Sequence, residues 1–124
     1  MFKKISIIFF ILFSCNAFAV EKKTNFTIES FSEAKKTGKT IVISSWNKYC
    51  GTCSKQVKIL KEAEKDFPDA LFLYYEQKKH KDIANLLGVQ YWATIIVYKN
   101  SKEVAKEIGV TSKKEIYSLI KKEI

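Results

Sequence analysis

Beyond residue 20 the apolar positions fall into short blocks whose spacing switches between the two periods of regular structure. Phe26–Ile28 reads as a short edge strand. Ser30 to Lys36 has helical spacing, with Phe31 and Ala34 on one face and Gly38 as its stop. Thr40-Ile41-Val42-Ile43-Ser44-Ser45 is β-branched and apolar, the pattern of a buried central strand. A helix then runs to about Asp66, with Val57, Ile59, Leu60, Ala63 and Phe67 as its apolar face, and Pro68-Asp69 forms a turn. Ala70–Tyr75 predicts a second core strand. His80–Leu87 predicts a short helix ended by Gly88. Ala93–Tyr98 and Glu103–Ile108 predict two antiparallel strands joined through Lys99-Asn100-Ser101. Ser112 opens a last helix, with Glu115 three residues on in a capping box and Ile116, Leu119 and Ile120 facing inward. The expected order is βαβαβαββα: an α/β domain with a mixed central sheet of four to five strands flanked by helices on both faces.

Charge narrows the possible partners. The 124-residue chain has a formal net charge of +9, and every cationic residue outside the single histidine is a lysine. Without arginine there is no planar fork for phosphate or for a base edge, which argues against a nucleic-acid reader. The lysines are spread rather than blocked into a tail, as on a solvated face, and their sum favours anionic surfaces or acidic partners.

The first residues have a different character. Lys3 and Lys4 precede an apolar run from Ile5 to Phe13 broken only by Ser6, and Ala17-Phe18-Ala19 follows. This is the layout of a secretory signal at residues 1–19, cut after Ala19, leaving a single domain over residues 20–124. The run is too short to span a bilayer comfortably as a helix. Leu12-Phe13-Ser14-Cys15 offers a lipoprotein alternative anchored through Cys15, although Phe13 stands where a small residue is usual. Either route places the domain outside the cytoplasm, in the periplasm, where disulfides persist.

Two cysteines remain in the body, Cys50 and Cys53. One pair is too few for a disulfide scaffold. It is also too few for zinc, since there is no second pair and the one histidine, His80, is distant in sequence; no metal is expected. A copper(I) carrier would want softer extra ligands, and no methionine lies near the pair.

The setting of the pair carries a resemblance. Trp46-x-x-Tyr49-Cys50-Gly51-Thr52-Cys53, after a buried strand and opening a helix, resembles the W-x-x-W-C-G-P-C motif of the thioredoxin family. Leu87-Gly88-Val89 followed by Ala93-Thr94-Ile95-Ile96-Val97-Tyr98-Lys99-Asn100 resembles that family's second conserved stretch. The element order agrees from Phe26 to the C-terminus. The stretch Glu33-Ala34-Lys35-Lys36-Thr37-Gly38-Lys39 looks like the exported branch that includes the C-terminal domain of the transmembrane reductase DsbD. The resemblance implies a thioredoxin fold and a thiol–disulfide oxidoreductase with no cofactor beyond a redox-active Cys50–Cys53 disulfide. It also implies protein disulfides or dithiols as substrates and a DsbD-like membrane partner as electron source. No oligomeric surface stands out, so a monomer is expected.

Spacing and resemblance together assign roles. Cys50, at the first turn of a helix, is the expected nucleophile, its thiolate favoured by free N–H groups and by Lys48 and Lys55. Cys53, almost one turn on, is the expected resolving thiol and the less exposed of the two. Trp46 is expected to pack, Tyr49 to stand partly exposed beside Cys50, and Gly51 to allow close backbone approach at the turn, with Thr52 beside it. By resemblance, Trp92, Ala93 and Thr94 form the loop that binds substrate backbone.

Two positions depart from the family pattern. Ala93 stands where the family has a cis-proline, and the intrinsic preference of a non-proline peptide predicts a trans Trp92–Ala93 bond. Ser44 stands where many thioredoxins bury an aspartate. The Cys-Gly-x-Cys form and the DsbD-like flank favour a reductase over an oxidase. The alternative from another class is a non-catalytic thioredoxin-fold binding module, for which Trp92 and Ala93 are the argument. His80 and Glu76 read as solvated.

Overall fold

The computed structural model describes residues 22–122; the expected signal segment and Cys15 lie outside them. Four helices and four strands follow in the order α1 (Ile28–Lys36), β1 (Ile41–Trp46), α2 (Gly51–Asp66), β2 (Leu71–Glu76), α3 (Lys81–Leu87), β3 (Thr94–Lys99), β4 (Lys102–Ile108) and α4 (Lys113–Lys121). The strands form one sheet in the order β2-β1-β3-β4. β1 runs parallel to β2 and antiparallel to β3, and β3 runs antiparallel to β4.

β1 lies at the centre, and all six of its residues are buried. Side chains of a strand alternate between faces, so a strand buried throughout needs cover on both. Val42 and Trp46 point to the side covered by α2 and α4, among Val57, Leu60, Ile116 and Ile120. Ile41 and Ile43 point to the other side, among Phe31, Ala34, Ile83 and Leu87 of α1 and α3. The mixed sheet with helices on both faces is thus as the apolar pattern predicts.

The helix ends follow local chemistry. Ser112 Oγ accepts from Glu115 N at 3.1 Å, the expected cap of α4. Gly88 ends α3 in the left-handed conformation, with φ of 66°, which glycine adopts without steric cost. Ile116 and Ile120 are buried and Leu119 is half-buried.

One expected element is absent. Phe26–Ile28 is not a strand: Thr27 caps α1, its Oγ1 accepting from Ser30 N at 3.1 Å, and the helix starts at Ile28. The segment before it lies along β2 without forming a regular ladder. Asn25 N and Phe26 N both donate to Tyr74 O, Asn25 Oδ1 accepts from Tyr74 N at 2.6 Å, and Thr24 Oγ1 accepts from Glu76 N at 3.2 Å. Side chains here supply bonds that a strand would draw from its backbone. Phe26 is apolar because it packs on Phe31 and Tyr75.

Leu60 is fully buried in the cluster between α2 and the sheet. Leu60→Ala should destabilise the domain by about 2–5 kcal/mol, seen as a lowered urea midpoint at unchanged slope.

Several tyrosines tie elements together in their neutral form. Tyr117 Oη on α4 donates to Asp66 Oδ2 at 2.6 Å, and this bond first, with slight burial and the Asp66 charge, pushes its phenol up to about 12. Tyr74 is raised by burial and then by Glu64, to which its hydroxyl donates at 3.0 Å. A phenol raised in the folded state contributes stability that is complete below the unfolded value of about 10 and lost as pH rises toward the folded one. Denaturation midpoints should therefore fall from about pH 10 upward, less steeply in a Tyr74→Phe, Tyr117→Phe double variant.

Candidate functional site

The site hangs from the C-terminal end of β1. Trp46, the last residue of that strand, is buried against α2, and its Nε1 donates to Lys23 O at 3.3 Å. The chain then turns through residues 47–50 into α2. Cys50 is the N-cap of α2, and its Sγ accepts a hydrogen bond from Cys53 N at 3.1 Å. A helix N-terminus offers unsatisfied N–H groups and the positive end of its dipole, and here one N–H is directed at the sulfur. Cys50 and Cys53 form a disulfide with Cα atoms 5.2 Å apart. The two sulfurs differ in access: Cys53 is 0% exposed, packed among core residues of α2, whereas Cys50 is half-buried at the rim.

The turn is held from outside by a residue far back in the chain. Lys22 Nζ donates to Asn47 O at 3.0 Å, Lys48 O at 3.3 Å and Cys50 O at 3.1 Å. Loss of hydration lowers the Lys22 ammonium from its ordinary value. The three carbonyls place its Nζ on the loop that carries Cys50.

Of Trp92, Ala93 and Thr94, expected to bind substrate backbone, Ala93 packs in the same buried cluster as Cys53. The Trp92–Ala93 peptide bond is cis, which overturns the trans expectation. That expectation used the preference of an isolated peptide, while this segment is gripped from three directions. Ala93 O accepts from Gln56 Nε2 at 3.1 Å and from Gly109 N at 2.9 Å. Ser45 Oγ donates to Tyr91 O at 3.2 Å and accepts from Thr94 N at 3.1 Å, while Thr94 Oγ1 donates to Tyr91 O. Thr94 and Ala93 are buried; Trp92 is 39% exposed, with Lys78 Nζ 5.1 Å from its ring.

Of the residues expected at the site, Trp46, Cys53 and Ala93 share one buried cluster with Cys50 packed against it. Tyr49 is 87% exposed beside Cys50. Thr52 is exposed, and a Cβ on Gly51 would meet nothing within 4 Å, so this glycine is not required by the chain's own turn. Any close approach there would be a partner's. Glu76, expected in solvent, is buried and paired with Lys79 Nζ at 3.5 Å. His80 stands half-buried at the start of α3 and makes no side-chain cap.

Three participants escaped the sequence reading. Gln56 had a legible signal: it is polar on the stripe of α2 that holds Cys53, Val57 and Leu60, three residues after Cys53. Ser45 looked like one more strand residue. Lys22 had no signal, because a long flexible side chain reaches back to a loop 25 residues away. Ser44 is buried with Oγ unpartnered among the described residues, as is Gln56 Oε1. By strand alternation Ser44 faces α2, as Val42 and Trp46 do.

A family model described as Thioredoxin matches residues 20–122. The chain belongs to the thioredoxin family. It is 27% identical over 93 residues to a thioredoxin of Mycoplasma genitalium, covering 75% of this chain and 91% of that protein. It is 31% identical over 81 residues to an H-type thioredoxin of Fagopyrum esculentum, covering 65% of this chain and 70% of that one. The crystal structure of Trxlp from Edwardsiella tarda matches with a TM-score of 0.74 at 20% identity, covering 78% of this chain and 96% of that one, a likeness of fold. Thioredoxins are disulfide oxidoreductases that need no cofactor, and this member carries the required Cys-x-x-Cys pair.

If the Lys22 ammonium supports the Cys50 thiolate, Lys22→Met should slow alkylation of reduced Cys50 by iodoacetamide at neutral pH. The expected loss is about two- to threefold, the effect of one screened charge near the sulfur. Lys22→Arg should keep the wild-type rate.

Proposed function

We propose that this thioredoxin works outside the cytoplasm as a monomeric reductase of protein disulfides, with Cys50 as nucleophile and Cys53 as resolving thiol. The observation that carries the reading is the inequality of the two sulfurs. One is accessible and accepts a helix N–H; the other is wholly buried one turn behind it. Attack needs a reachable thiolate, and resolution needs a thiol that competes only within the protein.

In the reducing direction the Cys50 thiolate attacks one sulfur of a substrate disulfide. A Cys50–substrate mixed disulfide forms and the other substrate sulfur leaves as a thiolate, which takes up a proton. Cys53 then loses its proton and attacks Cys50 Sγ. The Cys50–Cys53 bond forms, the second substrate thiol departs, and two electrons have passed to the substrate. A DsbD-like membrane dithiol is the proposed source that reduces the pair again. Trp92, Ala93 and Thr94 are the proposed dock for substrate backbone, with Trp46, Tyr49, Gly51 and Thr52 shaping the rim.

Support for export comes from the leader pattern of residues 1–19, with anchoring through Cys15 as the lipoprotein variant. Support for reduction comes from the Cys-Gly-x-Cys form.

The test is the reduction potential of the pair, by alkylation gel shift in graded thiol buffers. A value near that of thioredoxin, about −270 mV, is expected. A value near about −120 mV, that of the oxidant DsbA, would reverse the direction. Absence of a reversible two-electron couple would leave the non-catalytic binding module as the reading. Alongside it, Cys50→Ser should abolish exchange and Cys53→Ser should accumulate mixed disulfides.

A further inference from the structure

The positive charge of this chain is not distributed evenly around the redox pair. A groove of about 420 Å³ beside Cys50 is lined by Lys22, Lys48 and Lys79 together with Trp46, Ser54 and Glu76. Its one carboxylate is buried and already paired with Lys79. A second groove, of about 370 Å³, runs beneath Trp92; Lys78 and Lys81 are among its lining residues and no carboxylate is. The turn after β2 joins the two, since consecutive lysines serve both: Lys79 lines the first groove and Lys78 lies over the Trp92 ring.

The carboxylates of α2 lie away from this end. Its first ten residues, 51–60, include Lys55 and Lys58 and no acid; Glu62, Glu64 and Asp66 all follow Leu60. Asp82, in the first turn of α3, and Glu107, on the edge strand β4, line neither groove. Between and beside the lysines stand exposed aromatic rings. Lys48 Nζ lies 5.5 Å from the centre of the Tyr49 ring, and Trp92 carries Lys78 in the same way. A ring beneath an ammonium holds it in place without neutralising it.

We propose that this face selects its clients by charge: it takes disulfide-bearing polypeptide segments with aspartate or glutamate close to the reactive cysteine. The inference rests on the oxidoreductase reading and adds the class of substrate. Carboxylates of an extended segment crossing the Cys50–Cys53 pair would meet ammonium groups on either side of it. Apolar side chains of the same segment would meet Tyr49 and Trp92. An acidic polypeptide fits better than a phosphate-bearing polymer, because the chain has no arginine to offer a bidentate fork. It also fits better than a basic client, which would bring like charges together at the reacting sulfurs. That repulsion slows encounter and steering speeds it, and both are screened by salt.

Three peptide disulfides of equal length decide the matter, differing only in whether aspartate, asparagine or lysine flanks the cysteines. Pre-reduced protein is mixed with each peptide, and the second-order rate constant is read by quenching with an alkylating agent. At 20 mM salt the acidic peptide should react at least about tenfold faster than the basic one, and at 0.5 M salt the ratio should fall to about twofold or less. A Lys48→Glu, Lys78→Glu variant should lose the preference or invert it. Equal rate constants for the three peptides with the wild-type protein, or a preference untouched by salt, would overturn the proposal while leaving the oxidoreductase reading in place. A preference that survives in the charge-reversed variant would also overturn it, by removing it from this face. If the reduced protein is oxidised by none of the peptides, the asparagine one included, the oxidoreductase reading fails and this inference fails with it.

Discussion

Burial of β1 on both faces is the constraint from which the rest follows. A strand with six buried residues in sequence cannot lie on a one-sided sheet, so helices must cover both sides, while β2 and β3 pair on its two flanks. This fixes more than the architecture. The end of the strand is rigid because its whole length is packed, and both halves of the redox site are attached there. Trp46 anchors the turn into Cys50, and Ser45 bonds the loop at Tyr91 and Thr94. The geometry between the sulfurs and the Trp92–Thr94 loop is therefore set by two adjacent residues of one fully buried strand.

That rigidity coexists with a local breach of the rule that cores are apolar. Ser44, Ser45, Gln56 and Thr94 are all buried within the span of core that borders the site. Each needs partners, since an unmatched buried polar group costs about 1–3 kcal/mol. Ser45 Oγ accepts from Thr94 N, and the Ser45 and Thr94 hydroxyls both donate to Tyr91 O. Gln56 spends its amide nitrogen on Ala93 O and leaves Oε1 uncommitted, as Ser44 leaves its hydroxyl. Polar side chains in a core are expected where function outweighs packing, and here they hold the Tyr91–Thr94 loop that follows α3.

The elements were legible in the sequence because strands and helices in this chain differ clearly in period. The paired cysteines were legible because a buried strand leads into them and a helix leads out. Apart from the local cap at Thr27, what escaped depends on contacts across the chain rather than on local pattern. The apolar Phe26–Ile28 looks like a strand until Thr27 is seen capping a helix. Ala93 follows a cis bond that residue type alone argues against. Glu76 ends a strand in both views, but only the fold brings its burial and its Lys79 partner into sight. Lys22 is invisible from any local window, and it holds three carbonyls of the active turn.

The ammonium groups around Cys50 raise a question of direction, because anything that stabilises a thiolate stabilises the reduced protein and so weakens it as a reductant. Magnitudes bound the effect. About 30 mV corresponds to ~1.4 kcal/mol for a two-electron couple, so the span from a thioredoxin-like potential to a DsbA-like one, about 150 mV, corresponds to ~7 kcal/mol. A solvent-exposed charge contributes about 0–1 kcal/mol, and a partly desolvated one such as Lys22 somewhat more. A helix-terminus interaction adds about 0.3–1 kcal/mol. The lysines here can move the potential by tens of millivolts but do not sum to a reversal. Their larger effect falls on encounter, where the field of several like charges acts together and before any bond changes. In the proposed client selection, the same residues that move the pair by tens of millivolts act chiefly on which disulfides reach it.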